Sequence, residues 1–218
     1  MTKEEMIRET EAFLKEKYDG GAYLNADPAA KRYRLAHSYR VANIGRQIVR
    51  REGFDETALT IACLLHDVAY CEDFGPDGWK EHGRRSAAIA RPFLERLGLG
   101  KKQIEDICYG IAIHVDDVSD FPGERTPFAL SVGDADNIDR FDVLRLHEGL
   151  CRDGFLEKAP EAQRDDVTAR LARLRELREM EMGTPTAAAL WRERIDFYVT
   201  FYEKLAVQLR RSEAILDE

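Results

Sequence analysis

Histidines are the residues of this chain best suited to metal or acid–base chemistry, and five occur, at positions 37, 66, 82, 114 and 147. Helical spacing places each of them on an apolar face; His37, for example, shares a stripe with Val41 and Ile44. A single inward-facing histidine is usually a hydrogen-bonded core residue. Five histidines with the same placement indicate a common site.

Carboxylates at inward-looking positions add oxygen ligands to these nitrogens. His66 is followed directly by Asp67 at the end of an apolar run, in the stretch LLHDVAY, and further along either Asp134 or Asp136 faces the same way. A buried, ionised carboxylate without a partner is costly, so such groups usually bind a cation or become neutral. Mixed imidazole and carboxylate ligands suit a divalent Mn, Fe, Co, Ni or Zn ion, whose charge compensates the carboxylates.

Adjacent positions of a helix point about 100° apart, so His66 and Asp67 can share one ion only where their helix ends or bends. The loop that follows Tyr70 allows such an end.

A period near 3.6 residues runs through almost every segment, and strand alternation is not seen, so the sequence predicts an all-α bundle with short connections. Asp27 and Asp55 are predicted helix N-caps, Asp27 with Pro28 in the first turn. Residues 71–78 are predicted to form a loop, and a break is expected near Asp139. The helices are predicted over about 2–18, 28–51, 56–67, 80–97, 101–115, 128–151, 161–182 and 186–211.

The size and charge of the chain limit the classes of function. It has 218 residues, 44% of them hydrophobic, with a net charge of −8. An acidic chain is a poor candidate for broad nucleic-acid or anionic-membrane binding. The charged N-terminus lacks the apolar stretch of a signal peptide, and no window reaches the ~18 apolar residues of a membrane span. We therefore expect a soluble, cytoplasmic protein with no membrane partner.

The ordered set of these residues resembles the HD-domain superfamily of metal-dependent phosphohydrolases, whose pattern is a His, a His-Asp doublet and a distant Asp. The matching residues are His37 in AHSYRVANIG, His66 and Asp67 in LLHDVAY, and Asp136 in SVGDADNIDR. The resemblance covers about residues 30–145 and implies an HD-domain helical bundle in which these four groups hold one divalent ion.

The last ligand has competitors. Asp134, Asp136 and Asp139 all occur in the stretch DADNID, and Asp134 falls on an apolar stripe, so spacing leaves Asp134 open. Register against the family's usual ADxL segment favours Asp136. We expect a single domain over 1–218, with its core at about 30–145 and a helical extension of two long helices at about 155–215.

The residues behind the doublet differ from some branches of the superfamily. Several nucleotidases and alarmone hydrolases carry a glutamate there, whereas Val68, Ala69 and Tyr70 follow the doublet in this chain. The sequence is therefore more similar to the small bacterial HD hydrolases of unassigned substrate.

The resemblance implies hydrolysis of a phosphomonoester or phosphodiester, plausibly a nucleotide, by attack of a metal-bound water; Mg is a further candidate ion. Asp67 is expected to orient that water or accept its proton. His82 and His114 match the wider family pattern. They either contact the substrate phosphate beside a single ion, which we favour, or bind a second ion bridged by Asp67.

Cationic side chains are needed to hold the phosphate of the substrate. Arg40 lies one helical turn from His37, while Lys80 and Arg84 flank His82. A guanidinium matches phosphate oxygens in pairs, so Arg40, Lys80 and Arg84 are the predicted substrate-binding residues.

Two other readings remain open. One is a di-iron oxygenase of the HD type, which requires His82 and His114 to bind metal. The other is a non-catalytic regulatory module that binds a metal or a nucleotide. The expected partner is a small-molecule phosphate ester, and a homodimer is possible.

Overall fold

The computed structural model of the chain describes residues 1–73, 75 and 78–212, and it confirms the predicted all-α fold, with no strand among those residues. Positions 74, 76 and 77 of the predicted loop lie outside the described residues. No described helix is long and apolar enough to cross a membrane. The α-helices are α1 (Lys3–Gly20), α2 (Ala22–Asn25), α3 (Pro28–Glu52), α4 (Glu56–Leu65), α5 (His82–Arg96), α6 (Lys101–Ile113), α7 (Pro127–Arg140), α8 (Val143–Arg152), α9 (Pro160–Arg178) and α10 (Pro185–Arg210), with short 3-10 turns at Val68–Cys71, Gly78–Glu81 and Phe155–Glu157.

Aspartate caps fix where the two helices that lead into the site begin, and both predicted caps are confirmed. The carboxylate of Asp27 accepts hydrogen bonds from the second and third backbone N–H groups after it, both at 3.0 Å. Asp55 does the same at 2.9 and 3.0 Å. Between these helices, Gly53 ends α3 with a φ of 76°, a left-handed conformation that favours glycine.

The predicted helix over 128–151 is two helices in the structure. α7 ends at Arg140, close to the expected break, and Asp142 caps α8 by accepting a hydrogen bond from the backbone N–H of Val143 at 2.7 Å. The four-residue helix α2 was not predicted, because it follows the Asp19-Gly20-Gly21 stop and is too short to show a period.

The chain divides into two compact units, and the first consists of residues 1–139 together with 182–187. Its centre is α4, which is apolar on every side and buried from Thr57 to Leu65. A helix of this kind needs neighbours all round. α4 packs against α1, α3 and α6, and it ends directly before the His-Asp doublet.

Residues 182–187, which we call the return segment, rejoin the first unit from far along the chain. The backbone N–H of Gly183 donates to the Asp134 carboxylate at 2.8 Å. The N–H of Thr186 donates to the Glu52 carboxylate at 2.9 Å. A Cβ on Gly183 would lie 2.5 Å from the Cβ of Leu130, so only glycine allows this close approach to α7.

The second unit contains residues 140–181 and the chain from 188 onwards. Trp191 on α10 is buried, and its indole N–H donates to the carbonyl of Leu177 on α9 at 2.8 Å. The ring of Phe141 meets Trp191 edge to face at 5.0 Å. An Arg178–Asp196 ion pair at 2.6 Å joins the same two helices.

Candidate metal centre

Helix ends and helix faces of the first unit bring the four predicted metal ligands together. His37 lies on the buried face of α3, and Asp136 lies on α7. His66 directly follows α4 and still has helical torsion angles, whereas Asp67 has φ −108° and ψ 13°. The helical path of the backbone therefore stops between the members of the doublet, which allows both side chains to face one point.

The imidazole nitrogens of His37 and His66 lie close to each other and to an oxygen of each carboxylate. His37 Nε2 lies 3.1 Å from Asp136 Oδ1 and 3.3 Å from His66 Nε2. Asp67 Oδ2 lies 3.6 Å from each of these two nitrogens, and His66 Nε2 lies 3.8 Å from Asp136 Oδ1. Nitrogen and oxygen ligands sit roughly 2.0–2.2 Å from a tetrahedral Zn²⁺ ion, so neighbouring ligands are about 3.4 Å apart. Shifts of a few tenths of an ångström reach that spacing.

Backbone carbonyls fix the orientation of three imidazole rings. A carbonyl only accepts, so the Nδ1 atom that it contacts must carry the proton. His66 donates from Nδ1 to the carbonyl of Cys63 at 2.8 Å, and His114 donates to Ile111 at 2.6 Å. His82 makes the same bond to the carbonyl of Trp79. Each Nε2 is then left with a lone pair directed into the site, as in metal-binding histidines.

His37 is oriented by a carboxylate instead. Its Nδ1 donates to Asp139 Oδ2 at 2.7 Å, and Arg40 grips the same carboxylate with two bonds of 2.7 and 3.1 Å. Asp139 thus contacts a proposed ligand on the side away from Nε2 and fixes the orientation of the His37 ring. A carboxylate on the far nitrogen of a metal-binding histidine raises its basicity.

The electrostatics of the cluster favour ionised carboxylates and a neutral His66. Burial opposes ionisation of Asp67, but His66, the other imidazoles and Arg34 outweigh it and hold the pKa well below its usual range. Burial also opposes ionisation of Asp136, and the hydrogen bond from His37 lowers its pKa nonetheless. Burial lowers the pKa of His66 to about 4.

His37 has the opposite shift. Burial lowers its pKa, but the hydrogen bonds with Asp136 and Asp139 outweigh this effect and raise the pKa to about 9. A cation therefore suits the place between these groups, and a divalent ion would take over the role of the His37 proton. The lone pair of neutral His66 faces two carboxylates, which is unfavourable unless positive charge lies between them. The donor set fits a divalent ion.

A second grouping lies on the other oxygen of Asp67. His82 Nε2 is 3.1 Å and His114 Nε2 is 3.7 Å from Asp67 Oδ1. The two imidazole nitrogens are 3.1 Å apart. Asp67 therefore offers Oδ2 to the pair His37 and His66, and Oδ1 to the pair His82 and His114. Two imidazoles and a shared carboxylate also fit a metal.

Asp134, the competing candidate, lies elsewhere. Its buried carboxylate accepts the hydrogen bond from Gly183 described above, and burial raises its pKa to about 6. The structure thus brings Asp136, and not Asp134, to His37. His147 belongs to the second unit and is exposed on α8, as are Val143 and Leu144. The sequence allows His147 to be a core or a helix-surface residue, and it lies on the helix surface.

The three predicted substrate-binding cations have different surroundings. Arg40 bonds to Asp139, and Arg84 pairs with Asp116 at 2.8 Å. Lys80 is exposed, with its ammonium 5.7 Å from the ring of Trp79. Their contact with a substrate stays a prediction.

Arg34 was missed by the sequence analysis. Its Nη1 donates to Asp67 Oδ2 at 2.8 Å, and its guanidinium lies over the ring of Tyr70 at 3.3 Å. The available signal was its position one helical turn before His37, the mirror image of the spacing that pointed to Arg40.

The chain was compared with models of known protein families, with curated proteins and with solved structures. The family model described as HD domain matches residues 34–143. Curated proteins give no match to the chain.

Three solved structures are similar along nearly the whole chain. The first is a predicted HD superfamily hydrolase from an uncultured Thermotogales bacterium, with 20% identity, a TM-score of 0.63 and coverage of 92% of this chain and 91% of that one. The second is an HD-superfamily hydrolase from Bacillus thuringiensis, with 19% identity, a TM-score of 0.66 and coverage of 96% and 99%. The third is Bacillus subtilis YpgQ in complex with ADP, with 20% identity, a TM-score of 0.62 and coverage of 95% and 97%.

Proposed function

The chain belongs to the HD-domain family, and we propose that it is a metal-dependent phosphohydrolase that cleaves a phosphomonoester or phosphodiester, with a nucleotide as the favoured substrate. One observation carries the proposal. His37 on α3, Asp136 on α7 and the His66-Asp67 doublet at the end of α4 converge: the two imidazole nitrogens lie 3.3 Å apart and 3.1–3.8 Å from an oxygen of each carboxylate. Two imidazole nitrogens and two carboxylates form a donor set that suits a divalent cation.

A divalent ion, when bound there, supplies Lewis acidity toward a phosphoryl oxygen and lowers the pKa of a water molecule. The chain's own residues do the rest. Asp139 and the carbonyl of Cys63 hold the imidazoles of His37 and His66 in the orientation that exposes Nε2. Asp67 keeps its charge and presents one oxygen to each histidine pair, so it is placed to orient the attacking water.

His82 and His114 are proposed to act on the substrate side of Asp67. In the single-ion arrangement each ring would also carry a proton on Nε2 and would donate it in a hydrogen bond to a phosphoryl oxygen or to the leaving group. Their spacing of 3.1 Å, and their shared neighbour Asp67 Oδ1, equally support a second ion. Metal stoichiometry separates the two arrangements: one ion per chain favours direct contact, and two ions favour a dinuclear site.

The preference for a nucleotide has two supports. The related fold of Bacillus subtilis YpgQ was solved with ADP. In this chain the indole of Trp79 is 52% exposed, and its backbone carbonyl is tied to the ring of His82, which keeps an aromatic surface beside the second histidine pair. Aromatic rings of this kind stack on bases.

The test is a turnover screen that measures nitrophenol from nitrophenyl phosphate and its bis ester, and phosphate or pyrophosphate from the nucleoside mono-, di- and triphosphates, with each of the candidate ions. We expect turnover that a chelator abolishes and that His66→Ala lowers by at least about 100-fold. His147→Ala is the matched control, because this histidine is exposed in the second unit, and it should keep full activity. Full activity of His66→Ala would refute the proposal.

A di-iron oxygenase is the second candidate, favoured by the two histidine pairs that share Asp67. Iron-loaded protein would then consume oxygen in the presence of its substrate and release no phosphate. Oxygen uptake measured beside phosphate release decides between the two activities.

A further inference from the structure

Arg34 combines a position at the candidate metal centre with free donor capacity. Its Nη1 lies 2.8 Å from Asp67 Oδ2, the carboxylate oxygen that faces His37 and His66. A phosphoryl oxygen that shared an ion with Asp67 would therefore come within reach of the same guanidinium. No other arginine or lysine in the described part of the chain forms an ion pair with a proposed metal ligand.

Aromatic rings hold this guanidinium in place. Its carbon lies 3.3 Å from the centroid of Tyr70 and 5.9 Å from that of Tyr33. Tyr33 is itself nearly parallel to the ring of His37, at 5.9 Å and 5°. A planar cation stacked on a ring is oriented before any ligand arrives, and lysine cannot reproduce this arrangement.

Arginine offers five N–H donors, and Asp67 and the Tyr70 hydroxyl engage only part of them. The side chain is 27% exposed, so it is partly open to solvent. By contrast, the forks of Arg40 and Arg84 are directed at Asp139 and Asp116.

The charge balance also favours an anion at this place. The carboxylates of Asp67, Asp136 and Asp139 exceed the guanidiniums of Arg34 and Arg40 by one negative charge, which a proton on His37 balances. A divalent ion in place of that proton leaves one net positive charge in a buried site, where electrostatic interactions are strong.

We propose that Arg34 is the residue that binds the phosphoryl oxygens of the substrate, through the donors that Asp67 and Tyr70 leave available. This inference rests on the proposed function and adds to it the residue that recognises phosphate. Arg34 keeps its bond to Asp67 while it does so, since a carboxylate oxygen has a second lone pair for the ion.

The experiment measures phosphate binding and not turnover. Inorganic phosphate is titrated calorimetrically into the full chain at saturating Mn²⁺, and the Kd for Mn²⁺ is measured separately for each variant. Arg34→Gln should weaken phosphate binding by about 10- to 100-fold, the usual effect of losing charged hydrogen bonds. Arg34→Lys should give an intermediate loss. Arg46→Gln, which removes a charge from the same helix where the partner is Glu56, should bind phosphate like the wild type.

The outcomes separate this inference from the proposed function. Unchanged phosphate affinity in Arg34→Gln, or no phosphate binding by the wild type, overturns the role of Arg34 whatever the enzyme hydrolyses. A weaker Mn²⁺ Kd with unchanged phosphate binding would also overturn it, because Arg34 would then act only through Asp67. Weakened phosphate binding without any hydrolysis by the wild type would refute the proposed function and leave the inference standing. Circular dichroism checks folding, and Arg34→Lys carries the test if the glutamine variant does not fold.

Discussion

Replacing Asp139 by asparagine tests whether the support behind His37 matters for metal binding. In the structure one carboxylate oxygen accepts from His37 Nδ1 at 2.7 Å, and both oxygens accept from Arg40, at 2.7 and 3.1 Å. An amide of the same shape has only one accepting oxygen, and its other side is an NH₂ donor. In Asp139→Asn a donor must therefore face either His37 or Arg40.

The size of the effect follows from the geometry. His37 would keep at most a neutral hydrogen bond, which holds its ring less firmly than the carboxylate does, while Nε2 and the other proposed ligands stay in place. Changes to such supporting groups cost about 10- to 100-fold in metal affinity, or about 1.4 to 2.7 kcal/mol. We expect the Mn²⁺ Kd of Asp139→Asn to rise by that factor.

Asp134→Asn is the matched control for this substitution. Asp134 lies on the same helix and is also buried, but its carboxylate accepts from Gly183 and does not approach His37. An asparagine keeps the one acceptor that this hydrogen bond needs. Titration of Mn²⁺ into chelator-treated protein, followed by calorimetry, should show a wild-type Kd for this variant.

Two results would contradict the reasoning. Wild-type Mn²⁺ affinity in Asp139→Asn would mean that the ring of His37 needs no support from α7. An equal loss in Asp134→Asn would mean that any uncharged residue on this helix disturbs the site, and the special role of Asp139 would disappear.

Further predictions concern the ligands, the pH and the packing. Asp136→Asn should weaken Mn²⁺ binding by more than about 100-fold, measured by the same titration, and a smaller loss would remove Asp136 from the ligand set. In chelator-treated protein the raised pKa of His37, about 9 against about 6.5, should contribute about 3 kcal/mol of stability below pH 6.5 and lose it as the pH rises through 9. Urea unfolding of the wild type and His37→Gln at both ends of this range measures it, and an equal difference at both ends would contradict it. Gly83→Ala should cost about 1–3 kcal/mol in thermal unfolding, since its Cβ would lie 2.6 Å from the backbone oxygen of Ala112, whereas Gly20→Ala meets nothing within 4 Å and should cost nothing.

The fold could be predicted from the sequence because most of its signals are local. The apolar period, the caps Asp27 and Asp55 and the break before Val143 depend on residues a few positions apart. The structure also brings together the four residues that the pattern of His37, the doublet and Asp136 singled out. Their role as ligands stays a prediction.

The supporting residues could not be assigned in this way, because their partners are distant in the chain. Arg34 and Arg40 flank His37 at the same helical spacing. Arg34 meets Asp67, 33 residues away, and Arg40 meets Asp139, 99 residues away. The helical period of 3.6 residues predicts that both guanidiniums lie near the site. It does not predict which carboxylate each guanidinium binds.

Contacts with residues far along the chain also decide which positions of α7 and α8 are buried. Asp134 is buried and Asp136 is half-buried, although the two lie on the same helix, and residue 183 covers Asp134. On α8 the apolar positions beside His147 stay exposed, since amphipathicity indicates a possible contact face and not whether anything packs there.

The return segment has a consequence for how this protein can be shortened. The stretch that matches the family ends at residue 143, yet Asp134 and Glu52 take their hydrogen bonds from residues 183 and 186. A truncated polypeptide that stops after α7 would leave the buried Asp134 carboxylate with no donor, two positions from Asp136. Deleting the C-terminal helices should therefore loosen the very helix that carries a proposed ligand, even though those helices supply none of the four.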